Sequence, residues 1–242
     1  MRTISFAKRN IKELIRDPLS IIFSIILPLF LLIIFQQFNI PSEVYKLENF
    51  TPGIIIFSFS FMTLFTAALV ANDRESSLLS RLFSSPMKPM EYIFGYTLAI
   101  LPIVVIQSTL FYIVAIFLGL KLSIGVVLSI LVAIPISILF ISLGIFIGCI
   151  TTAKSSSGLG SIVVQLVAFT SGMYFSSDIV GKTFNIICEL LPFSRMLDII
   201  KETLNNNYVN ILSNSIISII YIVGITIIAI LVFKKKMFSD NK

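Results

Sequence analysis

Six stretches of this 242-residue chain are apolar for long enough to cross a lipid bilayer, which rules out most soluble folds at once. They run approximately over Leu19–Phe38, Gly53–Ala71, Tyr92–Gly119, Ile124–Ile150, Gly158–Phe175 and Ile211–Phe233. Hydrocarbon offers no water to satisfy peptide N–H and C=O groups, so each run must close its own hydrogen bonds as a helix. The expected fold is an all-α integral membrane protein with six transmembrane helices, a single domain over residues 1–242. Only 12% of the residues are charged, against roughly 25% in an ordinary soluble domain.

The basic residues orient these spans. With both termini in the cytoplasm, thirteen of the 18 Lys and Arg residues fall inside: Arg2, Lys8, Arg9, Lys12, Arg16, Arg74, Arg81, Lys88, Lys154, Lys234, Lys235, Lys236 and Lys242. Lys46, Lys121, Lys182, Arg195 and Lys201 remain outside. That bias follows the positive-inside rule, so the net charge of +6 needs no nucleic-acid partner to explain it. No cleaved signal peptide is expected, because the first apolar run is longer than an h-region and no A-x-A site follows it. Cys149 and Cys188 fall on opposite sides of the membrane and cannot pair.

The segments around the spans carry their own patterns. Residues 1–17 place Ile4, Ala7, Ile11, Leu14 and Ile15 on one face, with Lys8, Arg9, Lys12 and Arg16 opposite. This is an amphipathic interface helix lying along the inner leaflet. Asp17 and Pro18 then read as N-cap and first residue of span one. Lys154–Ser157 reads as a short inner link. Outer residues 176–210 hold two apolar stretches broken at Pro192, too short to cross and too apolar to float free. They are expected to fold as a re-entrant helical hairpin between spans five and six. Gly144 and Gly148 form a G-x-x-x-G, which favours close helix packing within the chain or, alternatively, a dimer seam.

The inner loop 72–91 is the most distinctive of these segments. Leu78 and Leu82, and Leu79 and Phe83, lie four apart, so a helix carries them on one side. Arg74, Glu75 and Arg81 mark its polar side, Asn72 or Asp73 can cap its start, and Pro86 ends it. Such a helix either lies flat among lipid headgroups or presents a docking surface to a cytoplasmic partner.

Several chemistries are missing from the sequence. It contains no histidine, which excludes H-E-x-x-H proteases and Ser–His intramembrane sites. It contains no P-loop motif for hydrolysing nucleotide. The span cores lack Asp, Glu, Lys and Arg, which ion-coupled carriers use at mid-membrane. Neither an intramembrane enzyme nor an ion-coupled carrier fits.

Thr51-Pro52-Gly53 and the block NDRESSLLSRLFSSPMKPMEYIFGY resemble the permease subunit of type-2 ABC transporters, a family of drug, antibiotic and polysaccharide exporters. The family signature runs roughly E-R-E-x-G-T-L-E-x-L-x-x-S-P, followed by a Glu and a Gly-Lys. Asp73, Arg74, Glu75, Leu78, Leu82, Ser85, Pro86, Glu91 and Gly95 match it. Ser77, Leu79-Ser80 and Tyr96 depart from it. The resemblance implies a coupling helix seated in a groove of a separate cytoplasmic ABC ATPase subunit. The helix would start near Asp73 and end at Pro86; Leu78, Leu79, Leu82 and Phe83 would fill the groove, while Arg74, Glu75 and Arg81 would set orientation. The interface helix would brace the same contact. ATP and Mg would be bound by that partner, with no cofactor in this chain.

The resemblance further implies a path between two permeases in a bacterial plasma membrane, the second copy being the same or a related chain. Ser58, Thr63, Gln107, Gln165 and Thr170 are the candidate lining residues, and the uncharged spans favour an amphiphilic cargo. The competing reading is a non-transporting scaffold or immunity protein that recruits a cytoplasmic factor. A passive channel fits less well, for lack of a polar ring at a filter.

Overall fold

The computed structural model describes residues 2–38, 41–76, 88–174 and 181–239. Among them every regular element is a helix. The chain begins with α1 (Arg2–Arg16) and enters its first span through α2 (Pro18–Ile21), a π-helical turn over Ile22–Ile26, and α3 (Leu27–Gln37). A short 3-10 turn at Glu43–Tyr45 leads into α4 (Leu47–Glu75). Then follow α5 (Pro89–Phe117), α6 (Ile124–Ile150), α7 (Ala153–Thr170), α8 (Lys182–Leu190), α9 (Pro192–Leu204) and α10 (Ile211–Ser239).

Five of these segments are long and apolar enough to cross a membrane: Pro18–Gln37, α4, α5, α6 and Ile211–Lys236 of α10. The expected fifth of six spans is α7, which starts earlier than expected and falls short of that standard. Lys154–Ser157, expected as a link, form its first turn, so its 18 residues include a lysine, four serines and Gln165. The true link is only Thr151 and Thr152. Thr152 ends it as an N-cap, accepting a bond from the Ser155 amide.

The expected turn into span one is present. Asp17 accepts a hydrogen bond from the Leu19 amide at 3.1 Å and one from the Ser20 hydroxyl at 2.6 Å. Pro18 occupies the first helical position, where its missing N–H costs nothing. On α1 the buried face is Phe6, Ala7, Asn10 and Leu14. Ile4 and Ile15, expected on that face, are exposed instead, because the helix docks along α5 through Phe6.

Helix α4 is the hub. In its most apolar 18-residue stretch 89% of residues are buried, against 17% in α10 and 22% in the first span. Helices α6 and α7 cover two of its sides. Lipid gives little hydrophobic drive for helices to associate, so close approach over small residues has to hold them. Gly144 and Gly148 of α6 supply it: a Cβ at Gly148 would lie 2.6 Å from the Ala67 carbonyl oxygen, and one at Gly144 2.6 Å from that of Thr63. The G-x-x-x-G is therefore an intrachain seam. Gly160 does the same for α7, where a Cβ would lie 2.7 Å from the Leu64 Cα.

At the end of the bundle opposite α1, the predicted break at Pro192 separates α8 from α9. Helix α9 buries Phe193, Met196, Leu197, Ile199 and Ile200 against α4, α6 and α10. Residues 176–180 of the expected hairpin lie outside the described residues. An aromatic cluster closes the same end, with Phe35 stacked on Tyr45 at 5.2 Å and the Tyr45 hydroxyl donating to the Tyr174 carbonyl at 2.8 Å. Both cysteines are buried, and neither is in a disulfide.

Gly148→Ala and Gly158→Ala add the same methyl group in different surroundings, since a Cβ at Gly158 meets nothing within 4 Å. Gly148→Ala should destabilise the detergent-solubilised chain by about 1–3 kcal/mol, while Gly158→Ala should leave the melting temperature unchanged or slightly raised. Thermal melts of the two variants check this.

Candidate functional site

The expected coupling segment begins inside α4. Asn72, Asp73, Arg74 and Glu75 do not start a new helix; they form the last turn of α4, which ends at Ser76. Leu78, Leu79, Arg81, Leu82, Phe83 and Pro86 lie outside the described residues.

Asp73 is 1% exposed. A carboxylate so deeply buried persists only if it is paired and hydrogen-bonded. Arg9 of α1 supplies the charge through two contacts, from Nη1 to Oδ2 at 2.7 Å and from Nη2 to Oδ1 at 2.6 Å. This fork fits a carboxylate better than a lysine would. The Tyr96 hydroxyl of α5 donates a further bond to Oδ2 at 2.8 Å. Arg9 also pairs with Glu13 one turn along at 2.5 Å. Burial pushes the Glu13 carboxyl above its ordinary range, while the Arg9 charge pulls it the other way.

Phe6 seats this joint. Its ring meets Tyr92 and Tyr96 edge-on, with centroids 5.5 and 5.0 Å apart. The position of Gly95 permits that approach, because a Cβ there would lie 2.5 Å from the Phe6 ring.

Arg74 and Glu75 face the junction of α6 and α7. Arg74 Nη1 donates to the carbonyls of Gly148 at 3.0 Å and Cys149 at 2.6 Å, among the orphan acceptors of the α6 C-terminus. Glu75 accepts from the Ala153 amide at 2.8 Å, one of the orphan donors of the α7 N-terminus. A cation thus meets the negative end of one helix dipole, and an anion meets the positive end of the next. Three consecutive side chains of α4 therefore tie it to α1 and α5, to α6 and to α7. The resemblance implies that Asp73, Arg74 and Glu75 face a partner protein; here each has an acceptor or donor within the chain, and Asp73 has no free surface to offer.

The other expected residues divide sharply. Lys8, Lys12 and Arg16 are exposed along α1, whereas Arg9 turns inward. Of the five path candidates, Ser58, Thr63, Gln107 and Thr170 are buried within the bundle. Ser58, Thr63 and Thr170 donate to the carbonyls of Ile55, Phe140 and Leu166. Only Gln165 is exposed. It shares the outer face of α7 with Ser155, Ser157, Ser161, Ile162 and Phe169.

Sequence reasoning missed Phe6, Asn10 and Tyr96. Phe6, Asn10 and Leu14 share the four-residue spacing that would have revealed the docking face of α1. Tyr96 was visible as the departure from the lysine of the signature. Among the described residues no group of three His, Cys, Asp or Glu comes together as a metal site would require.

In comparison with known proteins, the family model described as ABC-2 type transporter matches residues 2–205, nearly all of the chain before α10. No curated protein matches it.

Asp73→Leu strands the buried Tyr96 hydroxyl and leaves Arg9 with Glu13 alone as its counter-charge, and should destabilise the solubilised chain by about 2–3 kcal/mol. Adding Arg9→Met should recover most of that loss, because removing both charges leaves none buried alone. Melts of the two single variants and the double variant test the coupling; additive losses would show that the pair is not coupled.

Proposed function

The chain belongs to the ABC-2 type transporter family, and from that premise we propose that it is the permease subunit of an ATP-driven exporter, coupled to separate ATPase subunits. Being a multi-pass membrane transport component follows from the family and the five apolar helices. ATP coupling, partners, cargo and orientation are the proposal.

The observation that carries it is the threefold attachment of the last turn of α4. Residues 77–87 continue directly from that turn. A displacement of this segment by an ATPase would reach α1, α5, α6 and α7 together through Asp73, Arg74 and Glu75. In this reading Leu78, Leu79, Leu82 and Phe83 fill a groove of the ATPase, Arg81 sets orientation and Pro86 ends the helix. The Arg74 and Glu75 side chains transmit movement inside the permease. Lys154 and Lys234–Lys236 belong to the end of the bundle that holds α1, in keeping with a cytoplasmic position for that end. The host membrane in this reading is the bacterial plasma membrane, with ATP and Mg held by the partner.

The outer face of α7 is the place for a second permease. Serines and a glutamine exposed to lipid are costly, and such residues usually pack against another helix or line water. A second copy, the same or related, would cover that face and form the path there, with Gln165 on its wall. Helix α7 would then complete six spans per chain, and α8 with α9 would form the re-entrant hairpin at the outer end. With no charged side chain in the span cores, the cargo is amphiphilic, as an antibiotic, a peptide or a lipid-linked molecule would be.

Affinity purification of the wild-type chain from native membranes should bring down an ATPase carrying a P-loop, and Leu78→Asp should lose it without a change in melting temperature. Absence of any ATPase after mild crosslinking would leave the scaffold reading in front. Gln165→Cys should form a crosslink to a second permease under oxidising conditions, whereas Ile220→Cys on α10 should not.

A further inference from the structure

Above α1, at the depth of the leaflet on which it lies, the first span and α5 fail to close on one another. The π turn over Ile22–Ile26 packs on α4 but scarcely touches α5. The gap is an apolar slot of about 170 Å³, similar in size to apolar protein cavities of roughly 150 Å³ that stay dry and admit benzene. Met62 and Phe65 of α4 form its floor, Ile25 one wall, Ile103 and Ile106 the other, and Ile15 of α1 its lip. The hydroxyls that border it are already used: Ser20 donates to Asp17, Ser24 to the Ser20 carbonyl and Thr66 to the Met62 carbonyl. With those donors spent and the rest of the lining apolar, the slot offers little to hold water. It opens sideways, where Ile21 and Ile106 are 37% and 55% exposed.

The lip continues directly into charge. Arg16 follows Ile15, and with Lys8 and Lys12 it borders an open trough along the outer side of α1. Nearby acids are committed elsewhere: Glu13 to Arg9, and Asp17 to the Leu19 amide and Ser20 hydroxyl. Among the described residues neither Lys12 nor Arg16 is ion-paired. At the end of α1 an apolar slot and two cations without an ion-pair partner thus lie next to each other.

We propose that this slot holds a segment of one acyl chain of an anionic phospholipid whose headgroup rests on Lys12 and Arg16. Charge complementarity selects an anionic lipid over a zwitterionic one, and the lateral mouth selects a chain that stands in the bilayer over a solute from water. The resident lipid pads the joint between α1, the π turn and α4. The inference rests on the membrane reading alone and holds whatever the chain exports.

The chain has no tryptophan, so one introduced residue is a unique fluorophore. Ile106→Trp and, independently, Ile15→Trp place it at the slot, both at exposed positions that tolerate a larger ring. Ile220→Trp on the exposed face of α10 is the control. Each full-length variant is reconstituted in phosphatidylcholine vesicles containing graded amounts of chain-brominated phosphatidylglycerol or chain-brominated phosphatidylcholine. At the slot, the brominated phosphatidylglycerol should quench at a mole fraction several times lower, about fivefold for each basic residue engaged. At Ile220→Trp the two lipids should quench alike, and Lys12→Gln with Arg16→Gln should abolish the preference at the slot. Equal quenching by both lipids at slot and control overturns the proposal, as does a preference that survives the double glutamine variant. Failure of either lipid to quench at the slot overturns it too, and points to a closed slot or one filled by another molecule.

Discussion

A carboxylate sealed from solvent has to keep its counter-charge, and Asp73 imposes that requirement on everything around it. Arg9 must reach it, so α1 cannot lift from the bundle without leaving the Asp73 charge buried and unpaired. Tyr96 must reach it as well, which fixes how far α5 is rotated. Phe6 fills the space between those two attachments, and Gly95 gives it room. The position of an otherwise amphipathic surface helix is thus set by one buried ionic contact rather than by its affinity for lipid.

The two residues that follow extend the same principle to helix ends. The turn between α6 and α7 is short, so the carbonyls that end one helix and the amides that begin the next lie close together. Arg74 and Glu75, adjacent in sequence, match those opposite partial charges one for one. Along the shaft of α4 the holding force changes character. Gly144, Gly148 and Gly160 let backbones approach until van der Waals contact replaces the hydrophobic drive that lipid cannot supply. Polar contacts fix the end of the hub and small residues fix its length.

Much of this was legible in advance because membrane helices announce themselves by length and hydropathy. The span Ile124–Ile150 was placed to the residue, and the Asp17-Pro18 turn and the break at Pro192 followed from local backbone chemistry. Helix α7 was legible only in part, since its serines and lysine look like a loop when read without the partners that cap it. The last turn of α4 was misplaced because charged residues after an apolar run read as the start of something new. Only tertiary contacts, from Arg9 sixty-four residues away and from the ends of α6 and α7, show why that helix continues through them. Polar residues within spans were equally ambiguous: Thr63 bonds to Phe140 across the α4–α6 seam, while Gln165 faces outward, and composition does not separate them.

The π turn in the first span limits how this chain can change. A π turn holds one residue more than the α-helical turn it replaces, and each residue of an α-helix advances the face by about 100°. Below Ile22 the span is keyed to Asp17 and α1; above Ile26 it is keyed to Tyr45, Phe50 and Tyr174 through Phe35. The two halves are therefore phased independently. A single-codon deletion within Ile22–Ile26 would straighten the helix while turning one half against its neighbours, and only compensating changes on that half would restore the fit.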